Sequence, residues 1–395
     1  MFRWNKRIYA DAAAATPVSA RAEAELLRLL GLYGNPGGLH KEAVAAKDEL
    51  DHARTKAAAA IGAHADELVF VASGTEANNL ALVGALLPLL HAGASAHVVT
   101  SAIEHPSVLE PLRALLPQGL KVTELPVDSA GLVDTAAVAA AITDDTVLVS
   151  LQLVNSEVGT VQPVREVVKE IRRIRKSRTS ATPLYVHVDA SQAPLWLPLM
   201  VERLGVDLMT LDGQKILGPK GVGVLYVKRG VRISPLVRGG GQERGLRSGT
   251  ENLPLVGAFA VALEDAQRGV EQRAEVVARV RDFLWQEIQR ALPEAVLLGP
   301  PFTARVANNL SISIPGLDGQ MAVVALDAMG IAASTRSACS TGDDEPSPVL
   351  LALGVSVEVA KTALRLTLLP TATQTEARRI AGALAKIAQR YRIVV

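Results

Sequence analysis

Short apolar runs alternate with helical stretches from residue 66 onward, and this alternation constrains the fold more than any other feature of the chain. Several runs are apolar at nearly every position, which is typical of strands buried on both faces of a mainly parallel sheet. The intervening segments are long enough for right-handed crossover helices. The pattern predicts an α/β fold with helices on both faces of a doubly wound sheet. The runs are ELVFVAS, HVVTSAI, KVTELPV, TVLVSLQLV, LYVHVDA, DLMTLD and GVGVLYV.

The regular alternation of apolar runs and helical stretches ends after residue 252. A long charged helix is predicted over about 255–291, and short strand-like runs and further helices follow it. A chain of 395 residues with 49% hydrophobic residues can build a large core with a second lobe beside it. We expect a large domain over residues 15–261 and a smaller α+β domain formed by residues 1–14 and 262–395.

Charge and cysteine content argue against several classes of partner. Lys plus Arg number 41 and Asp plus Glu number 40, so charge gives no basis for direct binding to nucleic acid or to a membrane. The longest apolar run is shorter than the ~18 residues that span a bilayer, and Asp11 interrupts any N-terminal signal region. A single cysteine forms no disulfide within the chain. We expect a soluble, cytoplasmic protein.

Ligands of open α/β sheets bind beyond the carboxyl ends of the strands, so the residues after each run are the candidates for function. Gly74 and Thr75 open a helix whose N–H groups suit a phosphate, although an ordinary capped helix start gives the same pattern. His105 could stack on a ring or move protons, or lie in a solvated turn. Asn155 follows a later run and could donate a hydrogen bond to a ligand.

Two further strand ends carry a carboxylate and a lysine. His187 and Asp189 could share one side of a strand and bind a metal, but no third ligand is in view and we expect no metal site. Lys215 is enclosed by glycines and could carry a Schiff base, or be solvated. A phosphate cradle, a histidine, a carboxylate and a lysine at successive strand ends are the parts that hold pyridoxal 5'-phosphate. The combination predicts that cofactor.

These segments resemble the NifS/IscS-like cysteine desulfurases, fold type I pyridoxal-phosphate enzymes of the class V aminotransferase family. The resemblance implies a mainly parallel seven-stranded sheet and a smaller α+β domain. It also implies conversion of L-cysteine to L-alanine, with sulfur passing through an enzyme persulfide to iron–sulfur cluster assembly or tRNA thiolation. A selenocysteine lyase, an aminotransferase and a non-catalytic relative are the alternatives. The matching segments include YGNPGGLH, SGTEANNLA, EHPSVL, VNSEVGTVQP, HVDASQ, DGQKILGPKGVGVLYV, GGGQERGLRSGTEN, RSACST and LRLTLLP.

The resemblance implies a role for each candidate residue near the cofactor ring. Lys215 bonds covalently to the cofactor, and Asp189 pairs with its pyridinium nitrogen. Gln192 contacts the ring hydroxyl, while His105 stacks on the ring and shuttles protons. Cys339, the only cysteine, attacks the substrate sulfur and carries it to an acceptor such as an iron–sulfur scaffold protein.

Other residues are implied at the phosphate and at the substrate. Gly74 and Thr75 bind the phosphate, and Thr250 reaches the phosphate of a neighbouring subunit, which implies a homodimer. Asn155 contacts the cofactor and, with Arg365, orients the substrate carboxylate, for which the planar guanidinium is suited.

The phosphate site departs from the family pattern at two positions. The family usually has histidine immediately before the lysine and serine or threonine two residues before that histidine, whereas this chain has Gln214 and Asp212. Glutamine can still donate a hydrogen bond, but an ionised aspartate cannot, and a phosphate repels it. We expect Asp212 to turn toward a cation or backbone donors, leaving Gln214 and the helix start to hold the phosphate.

Overall fold

The computed structural model describes residues 7–335 and 346–391, and their strands form one large sheet and two small ones. Cys339 lies outside the described residues. The strands are β1 (Ile8–Tyr9), β2 (Leu68–Val71), β3 (Ala96–Ser101), β4 (Leu120–Leu125), β5 (Thr146–Gln152), β6 (Tyr185–Asp189), β7 (Leu208–Asp212), β8 (Gly223–Val227), β9 (Val296–Leu297), β10 (Asn309–Ser313), β11 (Ile331–Ala332) and β12 (Ala363–Thr367).

Helices connect most of these strands. No helix in the described part of the chain combines the length and the apolar character that a bilayer crossing requires. The α-helices are α1 (Ala20–Leu29), α2 (Lys41–Ala60), α3 (Gly74–His91), α4 (Pro106–Leu115), α5 (Thr135–Ala141), α6 (Val164–Ser177), α7 (Val201–Leu204), α8 (Leu253–Gln267), α9 (Val270–Ala291), α10 (Gly319–Ala328), α11 (Pro348–Ala352), α12 (Val357–Lys361) and α13 (Gln374–Tyr391).

The large sheet has seven strands in the order β2-β8-β7-β6-β5-β3-β4. Neighbours from β7 through β4 pair in parallel, and only β8 runs against the others, since it is antiparallel to both β2 and β7. The carboxyl ends of β3, β5, β6 and β7 therefore meet at one edge of the sheet. The predicted mainly parallel, seven-stranded α/β fold is confirmed.

Both faces of this sheet are buried, which explains why its strands are apolar at consecutive positions. Val98 and Leu148 pack in one core cluster with side chains of α3 and α4, such as Leu112. Their chain neighbours Val99 and Val149 pack in the opposite cluster, against helices that include α2, α6 and α8. With apolar contacts on both faces, polar side chains for a site are left mainly to the strand ends.

The C-terminal part of the chain adds a three-stranded antiparallel sheet in the order β12-β10-β9. Strand β1 pairs in parallel with β11, so the first described residues lie against this part of the chain. The proposed domain bounds of 15–261 and 262–395 stay a prediction. The expected single helix over 255–291 is instead two helices, α8 and α9, because Gly269 adopts a left-handed conformation (φ 61°) between them.

Gly223 lies where β8 passes the start of α3, and the close approach leaves no space for a side chain. A Cβ at this position would lie 2.6 Å from the carbonyl carbon of Ser73 and 2.9 Å from the backbone nitrogen of Gly74. We expect Gly223→Ala to destabilise the fold by ~1–3 kcal/mol, because backbone must move. Chemical denaturation measures this change.

Gly382 on α13 provides the matched control, because a Cβ there meets open space. Gly382→Ala should stabilise the protein by ~0.5–1 kcal/mol, since alanine favours a helix interior. Equal stability of Gly223→Ala and the wild type would contradict the close-packing argument.

Candidate active site

A cavity of about 260 Å³ lies at the carboxyl ends of the parallel strands. Its lining combines residues that follow β2, β3, β6 and β7 with one residue of β12 from the C-terminal part of the chain. The structure thus brings together side chains that are nearly 300 positions apart in sequence. Nine sequence-predicted site residues line the cavity: Gly74, Thr75, His105, Asp189, Gln192, Asp212, Gln214, Lys215 and Arg365.

Two predicted residues of the described part of the chain, Asn155 and Thr250, do not line this cavity. The buried amide of Asn155 folds back on its own turn, where Oδ1 accepts from two backbone N–H groups (2.9 Å each) and Nδ2 donates to the carbonyl of Ile103 (3.2 Å). Thr250 lines a second cavity of about 250 Å³ with Arg247. Cys339 lies outside the described residues. The roles assigned to these three residues stay predictions.

Lys215 ends a single 3₁₀ turn that directly follows β7. Its Nζ donates to the carbonyl oxygens of Ala13 (2.8 Å) and Ala14 (2.5 Å), so the N-terminal segment orients the amine through neutral acceptors. Two positions later Leu217 adopts a positive φ of 63°, which is rare for a residue with a branched side chain. The Thr16 hydroxyl accepts from the Leu217 N–H (2.8 Å) and holds this turn in place.

Asp189 ends β6, and both of its carboxylate oxygens accept hydrogen bonds. Oδ2 accepts from the side-chain amide of Asn78 and Oδ1 from the N–H of Ser191, at 2.8 and 2.9 Å. His187, two residues earlier, is held between the hydroxyls of Ser150 (2.8 Å) and Thr210 (3.1 Å). Burial lowers the pKa of His187 to about 4, so the ring is neutral and acts as a structural link between strands.

His105 caps the start of α4 with its imidazole. Nδ1 accepts from the N–H of Ser107 (3.1 Å) and lies 2.7 Å from the Ser107 hydroxyl. Burial lowers the pKa of His105 below its ordinary value, and the positive charge of Lys215 acts in the same direction, although nearby carboxylates oppose both. The imidazole is therefore mainly neutral near pH 7.

Sequence reasoning missed Asn78 and Ser107, which also line the cavity. Asn78 lies three residues after Thr75, which places both on one face of α3. Ser107 lies two residues after His105, at the start of α4. Each lies in the first two turns of the helix that follows a strand, and this position could have identified both as candidate site residues.

The start of α3 forms the proposed phosphate end of the cavity. The first N–H groups of a helix have no acceptor within the helix, and those of Gly74 and Thr75 belong to residues that line the cavity. Asp212 lies beside them, since a Cβ on Gly74 would be 3.1 Å from its Oδ2. A carboxylate therefore lies next to the helix start that suits an anion.

Asp212 also accepts hydrogen bonds from Gln214, one of the residues that were expected to bind phosphate. Its Oδ1 accepts from the backbone N–H of Gln214 (3.1 Å), which is a backbone donor of the kind expected for this carboxylate. Its Oδ2 accepts from the side-chain amide of the same residue (3.2 Å). In this arrangement the Gln214 amide is hydrogen-bonded to Asp212, and its expected role at the phosphate stays a prediction.

Arg365 is only 2% exposed and contributes a guanidinium to the cavity. One terminal nitrogen donates to Asp11 (2.8 Å) and the other to the carbonyl of Ser156 (3.2 Å). Its buried Nε has no hydrogen-bond acceptor among the described residues. The two terminal nitrogens also carry N–H groups that these bonds do not use, and a guanidinium at a cavity wall suits the carboxylate of a small substrate.

The groups in the cavity fit pyridoxal phosphate, apart from the acidic residue at the phosphate end. Asp189 offers a carboxylate to the ring nitrogen, and Gln192 offers an amide that now donates to the Ala13 carbonyl (2.9 Å). Lys215 offers an amine, and the helix start offers N–H groups. The volume of about 260 Å³ is just below the ~300–1,000 Å³ of pockets for drug-sized ligands and suits a single-ring cofactor.

Comparisons with known proteins agree over nearly the whole chain. A family model described as aminotransferase class-V matches residues 8–380. The cysteine desulfurase IscS of Methanosarcina thermophila is 38% identical over 389 residues, which are 98% of this chain and 93% of that protein. A solved NifS-like protein has a TM-score of 0.89 at 32% identity and covers 97% of this chain and 99% of its own. The predicted resemblance to the cysteine desulfurases is confirmed.

A second solved structure, of SspA in complex with cysteine, has a TM-score of 0.78 at 29% identity. The match covers 93% of this chain and 100% of that one. The TM-scores of both matches, at 32% and 29% sequence identity, mean that this chain shares its overall fold with these two proteins.

Replacement of Asp212 tests its effect on cofactor affinity. We expect Asp212→Ser to bind pyridoxal phosphate about tenfold more tightly, because it removes a like charge from the helix start and frees the Gln214 amide. Titration of the apoprotein, followed by absorbance, measures the dissociation constant. Asp212→Asn should also gain affinity, while Asp212→Glu, which keeps the charge, should not. A large loss of affinity in Asp212→Ser would mean that the carboxylate helps to hold the cofactor.

Glu104 gives the fold a predictable dependence on pH. Its carboxyl is 4% exposed, and burial raises its pKa from 4.5 to about 8. The folded state therefore keeps a proton that the unfolded chain releases near pH 4.5. This proton makes stability fall by about 1.4 kcal/mol per pH unit between 4.5 and 8. Below pH 6.5 the lowered pKa of His187 has the opposite effect, so the fall should be visible between about pH 6.5 and 8.

Glu104→Gln should flatten this slope, because an amide does not titrate. Urea denaturation at several pH values measures it, with the exposed Glu124→Gln as the control that keeps the wild-type slope. An unchanged slope in Glu104→Gln would rule out this carboxyl as its source.

Proposed function

The chain belongs to the aminotransferase class-V family, and we propose that it is a pyridoxal-phosphate-dependent cysteine desulfurase that supplies sulfur for iron–sulfur cluster assembly. The observation that carries this function is the near full-length likeness to cysteine desulfurases, 38% identical over 98% of the chain. The cavity supports it, because Lys215, Asp189 and Arg365 line one space of suitable size.

The overall reaction balances with one thiol of the protein. L-cysteine and the Cys339 thiol give L-alanine and a Cys339 persulfide: the carbon–sulfur bond of the substrate breaks, and a sulfur–sulfur bond forms. When bound, pyridoxal phosphate supplies an electron sink for the pair released at the substrate's α-carbon. A reductant or an acceptor protein then removes the outer sulfur and restores the thiol.

The residues at the cavity wall hold and tune the cofactor. The negative charge of Asp189 favours a protonated ring nitrogen, and the Lys215 amine is the point of covalent attachment. Gln192 exchanges its bond to a backbone carbonyl for the ring hydroxyl. Gly74 and Thr75 bind the phosphate through the start of α3.

Arg365 fixes the orientation of the substrate. Its guanidinium is held by Asp11 and by the carbonyl of Ser156, so the positions of its remaining N–H donors are set before substrate arrives. A carboxylate bound there leaves the amino group free to approach Lys215. Asn155 is the proposed second contact of this carboxylate, which requires its amide to leave its present partners.

The proposed assembly is a homodimer in the cytoplasm, with L-cysteine as substrate and an iron–sulfur scaffold as sulfur acceptor. Thr250 supports the dimer, because it lies in a second cavity and is assigned to a neighbouring subunit's phosphate. Exposed apolar side chains around α1, including Leu30, Tyr33 and Leu39, form a surface suited to a second copy of the chain. The single cysteine agrees with a reducing compartment.

Cys339→Ser tests the central step. We expect the variant to bind cofactor and L-cysteine like the wild type but to lose persulfide and turnover by at least about a hundredfold, because it lacks the sulfur acceptor. Alanine and sulfide are measured together after addition of L-cysteine and a reductant. Mass spectrometry should find one added, reducible sulfur on the Cys339 peptide of the wild type.

Lys215→Ala serves as the comparison variant, because it should lose covalent cofactor attachment as well as turnover. Wild-type rates of alanine and sulfide formation in Cys339→Ser would refute the proposed sulfur transfer. Turnover that needs a keto acid would identify an aminotransferase instead, and a strong preference for selenocysteine would identify a lyase.

A further inference from the structure

Asn78 and Ser107 connect Asp189 to His105 through a continuous series of hydrogen bonds. The Asn78 side-chain nitrogen lies 2.8 Å from Asp189 Oδ2 and 2.8 Å from Ser107 Oγ. Ser107 Oγ lies 2.7 Å from His105 Nδ1. Asn78 is 1% exposed and Ser107 is 8% exposed, so bulk water does not compete for these bonds. We call these two residues the Asn78–Ser107 relay.

The carboxylate at one end gives the relay a direction. An ionised carboxylate only accepts hydrogen bonds, so the Asn78 atom that faces Asp189 must be the amide nitrogen. The second N–H of that nitrogen then points to Ser107, whose oxygen accepts it. The hydroxyl proton of Ser107 is left to donate to His105 Nδ1.

The backbone at the other end enforces the same direction. The N–H of Ser107 donates to His105 Nδ1 at 3.1 Å, because the imidazole caps α4. A backbone N–H cannot become an acceptor. With both a hydroxyl and an N–H donating to it, Nδ1 carries no proton, and a neutral imidazole holds its proton on Nε2.

We propose that Asn78 and Ser107 are positioning residues that hold His105 as the neutral, Nε2-protonated tautomer, and that the negative charge of Asp189 sets this state through them. The inference rests on the proposed function in so far as Asp189 and His105 face the cofactor. His105 then presents a proton donor at Nε2, and a second proton is opposed because Nδ1–H would meet the Ser107 N–H.

Charged groups around His105 act on it as well as the relay does. The carboxylates of Asp189, Asp212 and Glu157 favour the imidazolium, whereas the ammonium of Lys215 opposes it. Burial, the largest effect, lowers the pKa of His105. The test therefore has to separate the relay from these surroundings, which a change of a single hydroxyl does without altering any charge.

The protonation state can be read directly by nitrogen-15 NMR of labelled histidine in the purified holoenzyme. The chain has seven histidines, and loss of one signal pair in His105→Gln assigns the relevant ring. In the wild type between pH 6 and 8 we expect a protonated Nε2 and an unprotonated Nδ1. A protonated Nδ1 in the wild type would overturn the proposal. This measurement needs no substitution in the relay, so it does not depend on whether such a variant folds.

Variants of the relay test its parts. Ser107→Ala should raise the pKa of His105 by about one unit, because the neutral ring loses a donor, and Ser107→Thr, which keeps a hydroxyl, should restore it. Asn78→Leu should also raise the pKa of His105, by less than Ser107→Ala does, because the Ser107 hydroxyl can then turn away from Nδ1 while the Ser107 N–H still keeps Nδ1 unprotonated in the neutral ring.

Ser313→Ala is the matched control, because it also removes a buried hydroxyl. Ser313 lies on β10 of the C-terminal sheet, and its hydroxyl is 2.6 Å from that of Thr362. The substitution should leave His105 unchanged. Identical His105 titration in Ser107→Ala and the wild type would disprove the relay. Alanine and sulfide production by the wild type is measured in a separate assay. Absence of that activity would contradict the proposed function, whereas an unchanged His105 titration in Ser107→Ala would contradict only the relay.

Discussion

Burial of the central sheet on both faces is the constraint on which the rest of this structure depends. Consecutive residues such as Val98 and Val99 pack in opposite core clusters, so strand interiors are closed to most polar function. The exceptions are satisfied within the sheet, as with His187 between two hydroxyls. Chemistry is therefore concentrated at the carboxyl edge, where parallel strands deliver Asp189 and Lys215 side by side.

The site is completed by parts of the chain that lie outside the central sheet. The N-terminal segment supplies carbonyl acceptors to Lys215 and the Asp11 carboxylate to Arg365. Arg365 itself comes from β12. A buried guanidinium needs such a partner, because an unpaired charge in this position costs several kcal/mol. The same short segment thus aligns the proposed cofactor anchor and the proposed substrate anchor.

Asp212 and the Asn78–Ser107 relay show two uses of a carboxylate in one cavity. Asp189 accepts from two donors and gives direction to a buried network. Asp212 accepts from both nitrogens of Gln214 beside the start of α3. The first carboxylate lies at the proposed ring end of the cavity, where a negative charge would favour a protonated ring nitrogen. The second lies where an anion is expected, which makes cofactor affinity a property of the local charge balance.

The fold class and most residues of the candidate site could be predicted from the amino-acid sequence. Continuous apolar runs imply a sheet buried on both faces, and strand ends then identify Asp189 and Lys215. It did not reveal the break at Gly269, because local helical periodicity continues on both sides of one backbone turn. That break depends on how α8 packs against α1 and α2 and how α9 packs against α13, which a one-dimensional pattern does not contain.

Contacts between residues far apart in sequence could not be predicted in this way, because they depend on how helices and strands pack. Asn78 and Ser107 look like ordinary helix-start residues until α3 and α4 bring them together between Asp189 and His105. By contrast, the pairing of Asp212 with Gln214 is local, because an aspartate at the start of a turn accepts from the N–H two residues later. Residue types supply donors and acceptors, but hydrogen bonds require distances near 3 Å, and folding alone sets those distances.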